Sequence, residues 1–219
     1  MKNTIYLSAV AGDSTFACSS RQQKQKAFAT DYMIKVALLA AMARVVMFLE
    51  FPLPMFPPFL KLDFSDVVPL IGSLAMGPMA GVLIELVKCL IHLVNSNTGG
   101  VGTLANFIVG SAYVFAAGFY YQHHKTKKGA IIGLWMGTVT MIAAGALVNY
   151  FITIPLYGIV MGWSEEMIIG MSAGIIPAIH NRETLILFAF CPFNLLKGIL
   201  LTAIAIPLYK PVSPLLHSK

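Results

Sequence analysis

Charge is what this chain has least of. Only 11% of its 219 residues are Asp, Glu, Lys or Arg, while 58% are apolar and the mean hydropathy is +0.78. An ordinary soluble domain carries about a quarter of its residues as charges, so that class is excluded. Cysteine is scarce too. Cys18, Cys89 and Cys191 share no CxxC spacing, and an odd number gives no disulfide framework. His92, His123, His124, His180 and His217 lack metal-ligand spacing and read as interface or loop residues. Neither a GxxxxGK[ST] phosphate loop nor an HExxH helix occurs, so a lone membrane protease or lipid-modifying enzyme has little support. The net charge of +6 forms no basic stripe interleaved with aromatics, which excludes nucleic acid as a partner.

What is present is a series of apolar blocks. They are continuous rather than alternating, which argues for helices and against a β-barrel. The reading is an all-α membrane protein: a basic tail over 1–28, a transmembrane domain over 29–210 and a short tail over 211–219. The first span covers about 29–49. Pro52, Pro54, Pro57 and Pro58 then forbid a helix. Leu53, Phe56 and their neighbours are too apolar for a solvated linker, so this loop reads as a cap over something.

The apolar stretch over 66–94 is long for one span, and Gly77-Pro78 breaks it. Charge decides how to count it. The basic loop His123-His124-Lys125-Thr126-Lys127-Lys128 and the basic tail both belong on the cytoplasmic side. Two spans, at about 64–76 and 78–95, put them there together; one span does not. A fourth span at about 101–121, a fifth at about 129–157, an outer loop over 158–181 and a last span from about 185 to 210 complete six helices with both termini cytoplasmic. Gly129, Gly133, Gly137 and Gly145 recur at multiples of four and give the fifth span a flat ridge for contact within the bundle. Ala37 and Ala41 form a small-xxx-small pair on the first span, suited to bundle contact or to docking of another protein.

Intramembrane polar groups are expensive and mark function by default. Asn194 and Lys197 lie three apart in Pro192-Phe193-Asn194-Leu195-Leu196-Lys197-Gly198 and share one helix face. Asn149, Asn106, Glu85 and Lys88 fall at similar depth on other spans. Each has a plainer reading. Glu85 and Lys88 can neutralise each other, Asn106 can be an interhelical hydrogen bond, Asn149 and Asn194 can bond one another, and Arg44 can snorkel outward. Taken together, amides beside an apolar cap suit an uncharged or weakly acidic planar solute with an amide or imide edge.

Five stretches also carry a family likeness. Leu60-Lys61-Leu62-Asp63-Phe64-Ser65-Asp66-Val67-Val68-Pro69, Met76-Gly77-Pro78-Met79-Ala80-Gly81-Val82-Leu83-Ile84-Glu85, Asn97-Thr98-Gly99-Gly100-Val101-Gly102, Lys127-Lys128-Gly129-Ala130-Ile131-Ile132-Gly133 and the Pro192–Gly198 run are together similar to the riboflavin-specific substrate-binding (S) component of energy-coupling factor (ECF) transporters, over roughly 30–217. The resemblance implies a six-helix bundle in a bacterial cell membrane that captures riboflavin from outside without catalysis and without a cofactor. It implies two kinds of partner: a transmembrane coupling subunit (T component) and two ABC-type ATPases that hydrolyse ATP. It maps flavin binding onto Asn149, Asn194 and Lys197; Glu85, Lys88 and Asn106, by their depth, and Leu53 and Phe56, by their place in the apolar cap, are further candidates read from the residues themselves. It assigns Ala37 and Ala41 to docking of the coupling subunit. The long N-terminal extension departs from the family pattern. The rival reading is a stand-alone proton-coupled transporter of a small planar solute, with Glu85 titrating.

Overall fold

The computed structural model describes residues 30–217, with side chains described as far as Leu208. The basic tail over 1–28 and the side chains of the tail over 211–219 lie outside the described residues. Helix α1 covers 30–47. A two-stranded antiparallel hairpin follows, β1 (Phe51–Pro52) with β2 (Lys61–Leu62), in register Phe51 to Leu62 and Pro52 to Lys61. Then come α2 (Val67–Met76), α3 (Pro78–His92), α4 (Val101–His123), α5 (Lys127–Val148), α6 (Ile154–Met161), α7 (Glu165–Ala173), α8 (Arg182–Leu185) and α9 (Cys191–His217). Among the described residues, four helical stretches are long and apolar enough to cross a membrane: Pro78–Asn95, Val101–His123, Lys127–Met161 and Arg182–Leu208. Helix α2 is shorter and also apolar.

The break at Gly77-Pro78 is real. Gly77 has φ +105°, a conformation open to glycine alone, and Pro78 starts α3 where its missing N–H costs nothing. The chain reverses there. A side chain at Gly81 would run into Pro69 and Ser73 of α2, so the two helices lie back to back as a close antiparallel pair. The fifth span runs further than the sequence suggests, to Met161, and the 158–181 segment contains α7. The backbone of α9 stays helical past Lys210 to His217.

Helix α4 packs on α3 and α5, and α9 packs on α5 and α2. Between them Leu70, Tyr113, Val114, Ala117, Leu134, Met141 and Leu201 form a buried centre. Helix α1 lays Val36, Leu39, Ala40 and Ala43 against Ile84 of α3. Its opposite face, with Met33, Ala37, Leu38, Ala41, Met42 and Val45, is exposed. The glycine ridge of α5 serves two neighbours. Gly133 and Gly137 abut Ala117 and Tyr113 of α4, while Gly145 abuts the side chain of Asn194 on α9. Gly137→Leu should therefore overpack the α4–α5 seam and cost about 1–3 kcal/mol. A lower thermal midpoint of the detergent-purified protein would register it; an unchanged midpoint would show that the seam can yield.

Candidate functional site

Two proline residues shape the site before any polar group enters it. Pro155 and Pro192 cannot donate to the carbonyls one turn back. Immediately upstream of each, the helix widens into a five-residue π-turn, Asn149–Thr153 and Ile186–Phe190. Such turns inside α-helices often sit at functional places. Here they aim the amides of the two longest helices into one space. Asn149 Nδ2 donates to Gly145 O at 2.7 Å, and Asn194 Nδ2 donates to Phe190 O at 2.9 Å. Both amide groups are spent on their own helices rather than on each other. Each leaves its oxygen with no protein donor among the described residues.

That space is a cavity of about 450 Å³. Phe59, Tyr157, Trp163, Phe190 and Phe193 supply aromatic wall, and Asn106, Asn149, Asn194 and Lys197 supply the polar groups. Phe59 lies 6.1 Å from the rings of both Tyr157 and Phe190, and Tyr157 stacks on Trp163 at 5.3 Å. Lys197 Nζ donates to Asp63 Oδ2 at 3.1 Å and to Asn106 Oδ1 at 3.2 Å, and pairs with Asp66 Oδ2 at 2.7 Å. Asn106 Nδ2 is buried and has no hydrogen-bond partner among the described residues. The cavity thus offers unpaired acceptors from two asparagines and an unpaired donor from a third.

Four of the eight substrate-binding candidates line this cavity and four do not. Glu85 and Lys88 stand off its wall because they are engaged elsewhere. Lys88 Nζ reaches Glu85 Oε1 at 2.6 Å, Asp66 Oδ1 at 2.5 Å and Ser65 Oγ at 3.0 Å, all fully or nearly fully buried. Phe56 turns into the core, edge-on to Phe193 at 5.4 Å, and Leu53 packs against the same cluster. The cap reaches the cavity instead through Pro58, Phe59, Leu60 and Lys61. Arg44 does not snorkel outward: it is 6% exposed, with its guanidinium 4.1 Å above the Phe48 ring.

Sequence reasoning missed the acidic partners. Asp63 and Asp66 stand at the start of the expected second span and drew no role from the sequence, yet both are buried. The available signal was arithmetic: two intramembrane lysines need counter-ions, and Asp63 and Asp66 flank the start of the shortest span. Glu50, His92 and the Ser96–Thr98 turn also line the cavity and were missed. One string was passed over as well. Gly170-Met171-Ser172-Ala173-Gly174 has GxSxG spacing, but it runs through the end of α7, not a strand-to-helix elbow, and buried Ser172 donates to Ile168 O at 2.8 Å. It carries no nucleophile.

Asp63, just past β2, holds its charge firmly. Burial alone would raise its carboxyl; the ammoniums of Lys197 and Lys88 and the Ser65 hydroxyl outweigh it and keep it well below the usual carboxylate range. A depressed folded value means stability that is present above the unfolded value of about 3.9 and lost as pH falls through the lower folded one. Asp63→Asn should cost about 2 kcal/mol, the worth of a charged hydrogen bond. The larger loss of about 3–5 kcal/mol for an orphaned buried ion is avoided because Asp66 still holds Lys197. Thermal unfolding should show that deficit unchanged between about pH 5 and pH 8, since Asp63 stays ionised there. A deficit that vanishes near neutral pH would mean Asp63 is not ionised.

An aromatic-walled cavity with converging amides inside a helical membrane bundle defines a small-molecule-binding membrane protein. The comparisons narrow the class. The family model described as "ECF transporter, substrate-specific component" matches residues 31–209, and the chain belongs to that family. The family is one of transporter substrate-binding components, not of enzymes, and its members are multi-pass bacterial membrane proteins. The chain is 33% identical over 178 residues to the riboflavin transporter RibU of Staphylococcus aureus (strain TCH60), covering 81% of this chain and 88% of that one. It is 31% identical over 177 residues to the riboflavin transporter FmnP of Bacillus subtilis (strain 168), covering 78% and 86%. A solved structure described as "Structure and mechanism of the S component of a bacterial ECF transporter" superposes with a TM-score of 0.67 at 32% identity, over 86% of this chain and 99% of that one.

Proposed function

We propose that this chain is the riboflavin-capture subunit of an ATP-driven ECF importer. The observation that carries the reading is the meeting of Asn106, Asn149, Asn194 and Lys197 on one aromatic-walled cavity. The flavin ring is flat and carries an imide edge, with an N–H between two carbonyls. The unpaired oxygens of Asn149 and Asn194 suit the N–H, and the free Asn106 Nδ2 suits a carbonyl. Lys197 adds a charged donor already held in place by two aspartates. The names of the S. aureus and B. subtilis relatives support the same ligand. The protein forms no covalent intermediate and needs no cofactor; it binds and hands over.

Uptake energy comes from partners: a T component and two ABC-type ATPases. Helix α1 supplies the docking face, where Ala37 and Ala41 stand exposed among Met33, Leu38 and Met42 while the opposite face is packed on α3. The α2–α3 reversal supports six crossings with both termini in the cytoplasm. The proton-coupled rival finds less support, since Glu85 is fully buried, paired with Lys88 and away from the cavity.

Purified protein should quench riboflavin fluorescence. Asn194→Ala should weaken binding by roughly 5- to 150-fold, the equivalent of about 1–3 kcal/mol for a lost buried hydrogen bond. Unaltered affinity would remove Asn194 from the site. Replacing both Ala37 and Ala41 by Leu should leave riboflavin affinity alone and abolish ATP-dependent uptake with the partner subunits present. Uptake at the original rate would sink the docking assignment. Riboflavin accumulation in liposomes holding this chain alone under a proton gradient would favour the rival.

A further inference from the structure

One charged pair on the cavity wall has a different character from the rest. Lys61 Nζ lies 2.7 Å from Glu50 Oε1, joining the two arms of the β1–β2 hairpin. The other oxygen of Glu50 faces His92 Nε2 at 3.9 Å, and His92 Nδ1 lies 2.9 Å from Thr103 Oγ1. Glu50, Lys61, His92 and Thr103 all line the cavity. The side chains of Lys61 and Glu50 are 31% and 21% exposed, so they are within reach of water and of a ligand. Ion pairs this open contribute little to stability, which leaves their position on the wall to be explained.

The chemistry of the position supplies an explanation. An ammonium and an imidazole facing one place from two sides is an arrangement that would accept a ligand's phosphate. Here the place between them is taken by a carboxylate of the protein itself. We infer that Glu50 is a specificity-determining residue: a resident anion that occupies the phosphate position and reserves the cavity for an uncharged ligand. The inference rests on the riboflavin reading. Riboflavin ends in an uncharged polyol, and its 5′-phosphate ends in a group carrying about −1.5 to −2 charges at neutral pH. With the imide edge held by Asn149 and Asn194, the polyol is left for the hydroxyl- and amide-bearing wall of Ser96, Asn97, Thr98 and Thr103, beside Glu50. A phosphate there meets a like charge well inside one Debye length of about 8 Å.

The test compares riboflavin with riboflavin 5′-phosphate. Full-length purified protein is titrated with each by flavin fluorescence quenching, as wild type, Glu50→Gln, Lys61→Gln and the double variant. The readout is the affinity for the phosphate divided by the affinity for riboflavin. Glu50→Gln should raise that ratio by about tenfold or more, because Lys61 and His92 are freed for the phosphate. Lys61→Gln should lower it by about threefold or more, because Glu50 is left uncompensated. The double variant should lack the gain. A ratio that does not move in Glu50→Gln overturns the proposal. If Glu50→Gln binds neither flavin, Lys61→Gln decides: a lowered ratio supports the proposal, and an unchanged or raised one overturns it. Wild-type protein that binds neither flavin defeats the riboflavin reading and this inference with it, whereas wild type that binds riboflavin with an unmoved ratio across the variants defeats the role of Glu50 alone.

Discussion

Asp66 sits between two lysines, and the arrangement of the bundle follows from that. One of its oxygens meets Lys88 of α3 at 2.5 Å and the other meets Lys197 of α9 at 2.7 Å. All three side chains are at most 5% exposed. Bringing such ions out of water costs several kcal/mol each, and only close multiple pairing offsets it. Asp63 and Glu85 complete the pairing, so that three carboxylates face two ammoniums. The cluster joins the cap, the start of α2, the middle of α3 and the cavity-lining turn of α9. Asp66 also stands just ahead of α2, where a negative charge suits the helix dipole. A chain with so few ionisable side chains has gathered five of them into one internal network, and that network fixes where Lys197 can be.

On the proposed reading, in which Lys197 contacts the ligand, fixing it has a consequence for binding. A lysine on a flexible four-carbon stem loses much rotamer freedom when it grips a ligand. Here that loss is already incurred in folding, because Asp63, Asp66 and Asn106 hold the ammonium before any guest arrives. The same logic applies to Asn149 and Asn194. Their Nδ2 groups are tied to carbonyls one turn back, so each amide is oriented by its own helix. Gly145 lets α9 come close enough for Asn194 to lie against α5. Preorganised polar groups on rigid helices bind tightly because little ordering remains to be done.

Much of this could be read in the sequence, and the part that could not shares one cause. Gly77-Pro78 announces its own break, because glycine and proline act through local backbone geometry. Asn149, Asn194 and Lys197 stand out because polar groups in apolar runs are rare. The Glu85–Lys88 pair follows from helical spacing. What stayed hidden depends on contacts between distant segments. Asp63 is 134 residues from Lys197, and no periodicity links them. The positive-inside rule counts Lys and Arg on each side of the membrane and says nothing of burial, so it could not reveal that Asp63 and Asp66 are buried. Phe56 and Phe59 are equally apolar and three apart, and only the turns of the cap decide that Phe59 meets the cavity while Phe56 packs on Phe193. The π-turns were legible in principle, since Pro155 and Pro192 each sit just beyond one.

The cluster also bears on how such a protein can be driven. A carboxylate that carries protons across a membrane has to alternate between a charged and a neutral form, and each form needs surroundings that tolerate it. Glu85 is pinned to Lys88, Lys88 to Asp66, and Asp66 to Lys197. Neutralising Glu85 would leave two carboxylates, Asp63 and Asp66, facing two ammoniums, and Lys197 would keep both of its partners. The charges here suit holding a site still. The outer face of α1, with its small and apolar residues uncovered, is a surface that the cluster leaves free.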